Sequence, residues 1–304
     1  MKIGYSEGRW ALLRKLIARS IPYYFRKLLP PNTTRHLYFQ GKFKVRLNGK
    51  KLFTMVANSG KYENEIYWYG LEGGLEKRSQ VIWAEYCKVF KPQNVLDVGA
   101  NSGLYSLITS SVSPNSMVSS VEPIPEAIRR MSENMLVNNF PYNIFEGALA
   151  DYSGYGDIYL ESGKIYTSSV TLNTYADLAL TGVHDASKLY QNFSVSVSTL
   201  SDLINKGFCN IPNLVKIDVE TYELKVLSGF GYDLALTDAY LIEVLNNEIA
   251  DGLNVFFANK GFFYFNINDS LNSLRRTKHI EKSDFWNYFI CKPEVADKLV
   301  SLSF

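Results

Sequence analysis

A chain of 304 residues with 46% hydrophobic and 14% aromatic content can bury a large core, which excludes a chiefly disordered protein. A formal net charge of +2 carries no global nucleic-acid signature, so no nucleic-acid partner is expected. Cys87, Cys209 and Cys291 form no Cys-x-x-Cys pair; they speak against a disulfide framework or a zinc site and fit a reducing, cytoplasmic setting.

The charge is unevenly spread. Residues 1–35 carry Lys2, Arg9, Arg14, Lys15, Arg19, Arg26, Lys27 and Arg35 against Glu7. Trp10, Leu13, Ile17, Ile21, Tyr24 and Leu28 recur there at spacings of three and four. The pattern predicts a basic amphipathic helix over residues 9–29, or two short ones parted at Ser20-Ile21-Pro22. Such a helix either docks on an anionic membrane, here the inner face, or packs on its own domain. Arg14, Lys15 and Arg19 interrupt any secretory signal and, with Pro22, any spanning helix.

Residues 36–76 form an N-terminal extension. Phe43, Val45 and Leu47, then Leu52, Thr54 and Val56, alternate around Asn48-Gly49-Lys50, which predicts a β-hairpin. A helix follows over 77–90. Beyond it, strand-like runs at Asn94–Val98, Met117–Val121, Tyr142–Glu146, Leu214–Val219 and Ala239–Val244 alternate with helical runs near 103–111, 125–138, 199–206, 221–228 and 248–260. This alternation predicts an α/β, doubly wound, mostly parallel sheet over residues 77–304. Phe262–Ile267 and Tyr288–Lys292, joined by a polar connection, would close it with an antiparallel pair. Residues 161–198, rich in Ser, Thr, Tyr and Gly, form a substrate-side insertion.

The run from Asn94 to Gly103 predicts a buried strand that ends in Asp97-Val98 and breaks into a glycine turn before a helix. That is where an α/β sheet holds a nucleoside cofactor. Gly99 and Gly103 would let the backbone approach the ligand. Asn101 stands where a dinucleotide motif has its middle glycine, and its side chain would crowd a pyrophosphate. A cofactor without phosphates, such as S-adenosyl-L-methionine, suits the turn better. Glu122, ending the second strand, can accept hydrogen bonds from both ribose hydroxyls, for this cofactor and for NAD alike. The rivals are an NAD-dependent oxidoreductase and a non-catalytic adenosine-ligand scaffold.

Several motifs follow in order. They are Asp97-Val98-Gly99-Ala100-Asn101-Ser102-Gly103, Val121-Glu122-Pro123-Ile124-Pro125-Glu126 and Gly147-Ala148-Leu149-Ala150-Asp151. Then come Ser198-Thr199-Leu200-Ser201-Asp202-Leu203, Val215-Lys216-Ile217-Asp218-Val219-Glu220 and Leu241-Ile242-Glu243-Val244. In this order and spacing the chain resembles the FkbM family of S-adenosylmethionine-dependent methyltransferases over roughly residues 62–292. The resemblance implies the Rossmann-like, seven-strand class I methyltransferase fold. It also implies methylation of a hydroxyl oxygen, often in natural-product or surface-glycan pathways, and so an acceptor that is a sugar or a glycolipid precursor. By position, Asp97, Gly99, Asn101 and Gly103 would lie on the methionine and ribose side, Glu122 would hold the ribose, and Ala148 would lie near the adenine. The chain departs from the family at Thr221-Tyr222, where a glycine usually follows Asp-Val-Glu. Relatives often carry a histidine after Leu-Ile-Glu-Val, where this chain has Leu245-Asn246-Asn247.

Methyl transfer to an alcohol needs in-line alignment and a proton acceptor. Strand alternation predicts Lys216, Asp218 and Glu220 on one face of an otherwise apolar strand, where such charges need partners or a cleft. Glu220 is the first candidate base. Asp218 would orient the acceptor, and Lys216 would hold a carboxylate. Two carboxylates are too few ligands for a metal, so none is expected. His36, His184 and His279 read as ordinary surface or satisfied residues. Glu76 could reach the cleft, and Tyr166, Thr167, Ser168 and Ser169 could meet a polyhydroxylated acceptor.

Overall fold

The computed structural model describes residues 16–26, 28–34, 37–58, 61–74, 76–161, 171–172, 190–231, 235–270 and 273–301. A helical stretch at 16–20 and α1 (Tyr23–Arg26) are parted at Ile21-Pro22, and α2 (Pro31–Thr34) follows. The hairpin β1 (Gln40–Leu47) and β2 (Lys50–Asn58) pairs antiparallel as expected. It turns at Asn48 and Gly49, both left-handed (φ 50° and 74°), as the right-handed twist of its strands demands. Next comes α3 (Lys61–Tyr69), where the sequence pattern gave no helix. Its buried residues include a continuous run, Ile66-Tyr67-Trp68, which shows no helical period. The helix expected over 77–90 is α4 (Lys77–Phe90).

The core then alternates through β3 (Asn94–Val98), α5 (Leu104–Val112), β4 (Met117–Glu122), α6 (Pro125–Val137) and β5 (Asn143–Leu149). After β6 (Gly154–Glu161), β7 (Thr171–Leu172) and β8 (Tyr190–Ser198) it resumes with α7 (Leu200–Asn205), β9 (Leu214–Ile217), α8 (Glu223–Ser228), β10 (Ala239–Glu243) and α9 (Asn247–Phe257). The end is β11 (Phe263–Asn268), β12 (Ser273–Thr277), β13 (Asn287–Cys291) and α10 (Pro293–Ser301). One sheet holds β12-β11-β13-β10-β9-β3-β4-β5-β8-β6-β7 in that order. Its centre, β10-β9-β3-β4-β5, is parallel, and β13 slots in antiparallel between β10 and β11. This is the expected doubly wound, mostly parallel sheet, with its antiparallel late strand.

Two details differ from expectation. The polar connection after β11 itself forms an edge strand, β12, whose Arg275 and Arg276 are exposed, so it lacks an apolar signal. The insertion is partly sheet: β8 runs parallel beside β5, and β6 pairs antiparallel with β8. Tyr155 and Asp157 on β6 are exposed while Ile158 is buried, a pattern too polar to read as a strand. Tyr166, Thr167, Ser168, Ser169, His36 and His184 lie outside the described residues.

Successive residues along each central strand feed opposite cores. Val95, Leu214, Leu241 and Phe289 pack with Trp83, Leu107 and the hairpin residues Phe43, Phe53 and Met55. Leu96, Val215, Ile242 and Ile290 pack with Leu203, Val226 and Leu253. Each such buried side chain contributes roughly 1.5–3 kcal/mol. The hairpin is stitched down by polar contacts as well. Asn134 on α6, fully buried, accepts from the Val56 N–H (2.8 Å) and donates to the Ser102 carbonyl (3.0 Å). Asn138 accepts from the Thr54 N–H (2.7 Å). Glu63 on α3 and Arg130 on α6 form a buried ion pair.

The basic N-terminal segment packs on this body through part of its surface. Ala18 is fully buried, and Tyr67 donates to its carbonyl (2.7 Å). The Arg26 guanidinium lies 3.7 Å from the centre of the Tyr67 ring. Tyr24 (84%), Phe25 (61%) and Leu28 (75%) stay exposed. Among the described residues, no helix is long and apolar enough to cross a membrane.

Candidate active site

β3 ends at Val98, and the turn that follows is held by backbone bonds. The Gly99 and Ala100 N–H groups both donate to the Val121 carbonyl (3.0 and 3.1 Å), and the Gly103 N–H donates to the Ala100 carbonyl (2.8 Å). Gly99, Asn101 and Gly103 are all left-handed, at φ 75°, 50° and 83°. The protein itself demands the two glycines: a Cβ on Gly99 would lie 1.8 Å from the Asp218 carbonyl oxygen, and one on Gly103 would lie 2.7 Å from Met131 Cγ. Close ligand approach is therefore not needed to explain them. Asn tolerates the left-handed region better than most residues.

Asp97 is fully buried. Its Oδ2 accepts from the Ser106 N–H (3.1 Å) and the Ser106 hydroxyl (2.6 Å), which ties the strand end to the first turn of α5. Burial raises its pKa, while Lys216 and Ser106 lower it. Glu122 closes the turn from the other side. Its Oε2 accepts from the Asn101 N–H (2.8 Å) and its Oε1 from the Ile124 N–H (2.9 Å). Burial pushes its carboxyl up to about 7 despite those two donors. Each oxygen keeps a lone pair for a ribose hydroxyl. Ala148 is buried with Ile124, Ala127, Ala150 and Val197, and Tyr222 packs against them, forming an apolar wall near Glu122.

The second half of the site gathers acids. The parallel register sets Asp97 beside Lys216 and Ile242 beside Ile217, so Glu243 falls level with Asp218. Lys216, 5% exposed, donates to Asp218 Oδ2 (2.8 Å), and its Nζ lies 5.0 Å from the Tyr105 ring centre. Burial works against its charge, but Asp218, Asp97 and Glu76 together raise its pKa. β9 stops at Ile217, so strand alternation does not place Glu220. A left-handed bend at Glu220 (φ 54°) and Thr221 (φ 77°) does. Glu223 braces that bend by accepting from the Val219 and Thr221 N–H groups (3.3 Å each). Thr221, where the family usually has glycine, thus occupies a conformation that suits glycine.

Asp218, Glu220 and Glu243 bring one carboxylate oxygen each to within 4.8 Å of one another. Burial, then the charges of Asp218 and Glu223, push Glu220 up to about 8. Burial, then Asp218 and Glu220, push Glu243 up to about 10. Glu76 joins from the N-terminal extension, accepting from the Tyr105 hydroxyl (3.2 Å), and is pushed up to about 7 by burial and then Asp218. Lys216, Asp218, Glu220 and Glu76 thus meet as a group, whereas His279 is exposed on the loop after β12. Sequence reasoning gave Glu243 and Glu223 no role. The signal available for Glu243 was an acid as the last residue of an apolar strand, and it becomes a site only once β9 and β10 are neighbours.

The family described as "Methyltransferase FkbM domain" matches residues 97–296. Hexuronic acid methyltransferase AglP of Haloferax volcanii is 29% identical over 150 residues, covering 49% of this chain and 54% of that protein. 31-O-demethyl-FK506 methyltransferase FkbM of Streptomyces tacrolimicus is 28% identical over 151 residues, covering 44% and 58%. The chain thus spans little more than half the length of these relatives. A crystal structure of an O-methyltransferase from Bacillus cereus in complex with SAH overlaps 70% of this chain and 80% of its own, at 9% identity and a TM-score of 0.36, too loosely to bear on function. With its motifs in order and about two thirds of its length matched, the chain belongs to the FkbM methyltransferase domain family.

Proposed function

We propose that the protein is an S-adenosylmethionine-dependent O-methyltransferase acting on a hydroxyl of a saccharide or glycolipid-like precursor. The observation that carries this reading is the contact of Gly99 with the Asp218 backbone, which sets the cofactor turn against the loop that bears Glu220. Family membership supports methyl transfer. The turn itself supports a cofactor without phosphates. The N–H groups of Gly99, Ala100, Asn101 and Gly103 are committed inside the protein, and the Asp97 carboxylate already occupies the start of α5. A pyrophosphate relies on free donors and positive dipole at such a place. That speaks against the NAD reading.

S-adenosylmethionine, when bound, supplies an electrophilic methyl group on a sulfonium. Glu122 would hold its ribose, and the wall around Ala148 its adenine. On the other side Glu220 would take the acceptor's hydroxyl proton as the oxygen–methyl bond forms. Asp218, fixed by Lys216, would orient the acceptor. Alignment of this kind is worth about 7–11 kcal/mol in favourable cases, and a positioned base about 10²–10⁴-fold. A saccharide acceptor is supported by the relative named for a hexuronic acid. The exposed Tyr24, Phe25 and Leu28 support peripheral contact with a membrane by the free side of the N-terminal segment, while Arg19 and Arg26 turn inward to the Gln40 carbonyl and the Tyr67 ring.

Calorimetric titration with S-adenosylhomocysteine, with NAD in parallel, tests the cofactor. Heat from the former alone is expected. Binding of NAD in preference, or of neither, overturns the reading.

A further inference from the structure

We propose that Asp218, Glu220 and Glu243 form a binding site for one oxygen-ligated divalent cation of the magnesium class, on the acceptor side of the glycine turn. Two carboxylates are too few for such a site; the structure adds the third. The three oxygens lie within 4.8 Å of one another. Around an ion with ligands at ~2.1 Å, adjacent ligand oxygens stand ~3.0 Å apart and opposite ones ~4.2 Å, so the spacing suits a shared ion. Independently, Glu243 is 9% exposed and its Oε2 is buried with no hydrogen-bond partner among the described residues. A buried carboxylate oxygen with no donor needs either a proton or a cation. The ammonium in contact with the cluster, Lys216, is bonded to Asp218 Oδ2, and a single positive charge cannot balance three carboxylates. An all-oxygen donor set suits a hard ion such as magnesium or manganese. The Asp218 side chain is 30% exposed, so solvent reaches the site and open coordination positions face outward.

The role of the ion rests on the methyl-transfer reading. Held there, it would bind the acceptor hydroxyl and lower its pKa, leaving the second oxygen of Glu220 to receive the proton. Open positions next to each other suit an acceptor with two neighbouring oxygens, such as a vicinal diol or a hydroxy acid of a sugar.

The test uses the full chain, stripped with a chelator and dialysed, and manganese as the probe. Electron paramagnetic resonance titration should show one bound ion per chain. Glu243→Gln and, at the more exposed position, Glu220→Gln should each weaken manganese binding by at least the roughly 10–100-fold that loss of a mere supporting partner costs. S-adenosylhomocysteine affinity should be unchanged in both. If wild-type protein binds S-adenosylhomocysteine but no manganese, protons hold the cluster and the site does not exist. Manganese binding that survives both substitutions places the ion elsewhere. Manganese bound with no S-adenosylhomocysteine binding would keep the site and remove the methyl-transfer reading.

Discussion

On the cofactor side, the two oxygens of Glu122 each accept a backbone N–H; on the acceptor side, Oε2 of Glu243 meets no donor among the described residues. Both carboxyls are buried at the carboxyl end of a parallel strand. Burial lifts the first to about 7 and the second to about 10, and backbone donors partly hold the first down while neighbouring acids drive the second further up. At Glu122 the fold itself thus supplies a backbone donor to each carboxylate oxygen. The acceptor half carries a surplus of acid that something else must balance. A proton-abstracting site gains basicity from that surplus, but a carboxyl lifted above neutral must first lose its own proton, which a bound cation would favour.

The comparison breaks most readily at Glu220. Glu220→Gln should lower kcat by about 10²–10⁴-fold while S-adenosylhomocysteine binding is kept. Turnover that stays near wild type, measured with an accepted saccharide, would remove Glu220 as the base. Next in size, Glu122→Ala should weaken S-adenosylhomocysteine by about 1.5–3 kcal/mol, the usual worth of hydrogen bonds to a charged group. Calorimetry checks it, and an unchanged affinity would mean that Glu122 only braces the turn.

Titration sharpens the same contrast. Because the folded pKa of Glu122 is raised, its neutral form favours the empty fold, and that contribution to stability is present below about 4.5 and lost as pH rises through about 7. Ribose hydroxyls favour the carboxylate. Affinity for S-adenosylhomocysteine should therefore grow as pH rises through about 7, and Glu122→Gln should flatten the profile. The smallest effect is expected at the bend. Thr221→Gly should relieve left-handed strain and raise stability in urea by about 1 kcal/mol, the low end of the strain scale, since added glycine entropy takes some of the gain.

How far the sequence exposed this contrast follows from the range of each interaction. The cofactor half is local: a strand, a glycine turn, a helix and an acid at the next strand end all lie between Asn94 and Glu122, and their spacing is visible in the chain. The sheet was legible for the same reason, from alternating runs of ordinary length. The acceptor half is assembled across neighbours. Glu243 meets Asp218 only through the β9–β10 register, Glu76 arrives from ahead of the family match, and Glu223 acts through the bend it braces. Alternation put Lys216, Asp218 and Glu220 together for a reason that fails after Ile217, because the strand ends there. Strands β6 and β12 escaped notice because an exposed polar strand carries no apolar period.

Asn134 gives the N-terminal hairpin a meaning beyond packing. One amide holds β2 through the Val56 N–H and holds the glycine turn through the Ser102 carbonyl. The stretch matched by the family begins at residue 97, yet the hairpin that shares this clamp lies wholly before it. The stretch matched by the family is therefore smaller than the unit that is packed together around the turn. A fragment trimmed to the matched stretch would keep its signature and lose the brace behind it, along with the Glu76 carboxyl. A change in the hairpin can therefore reach the glycine turn through this one amide without altering a single motif.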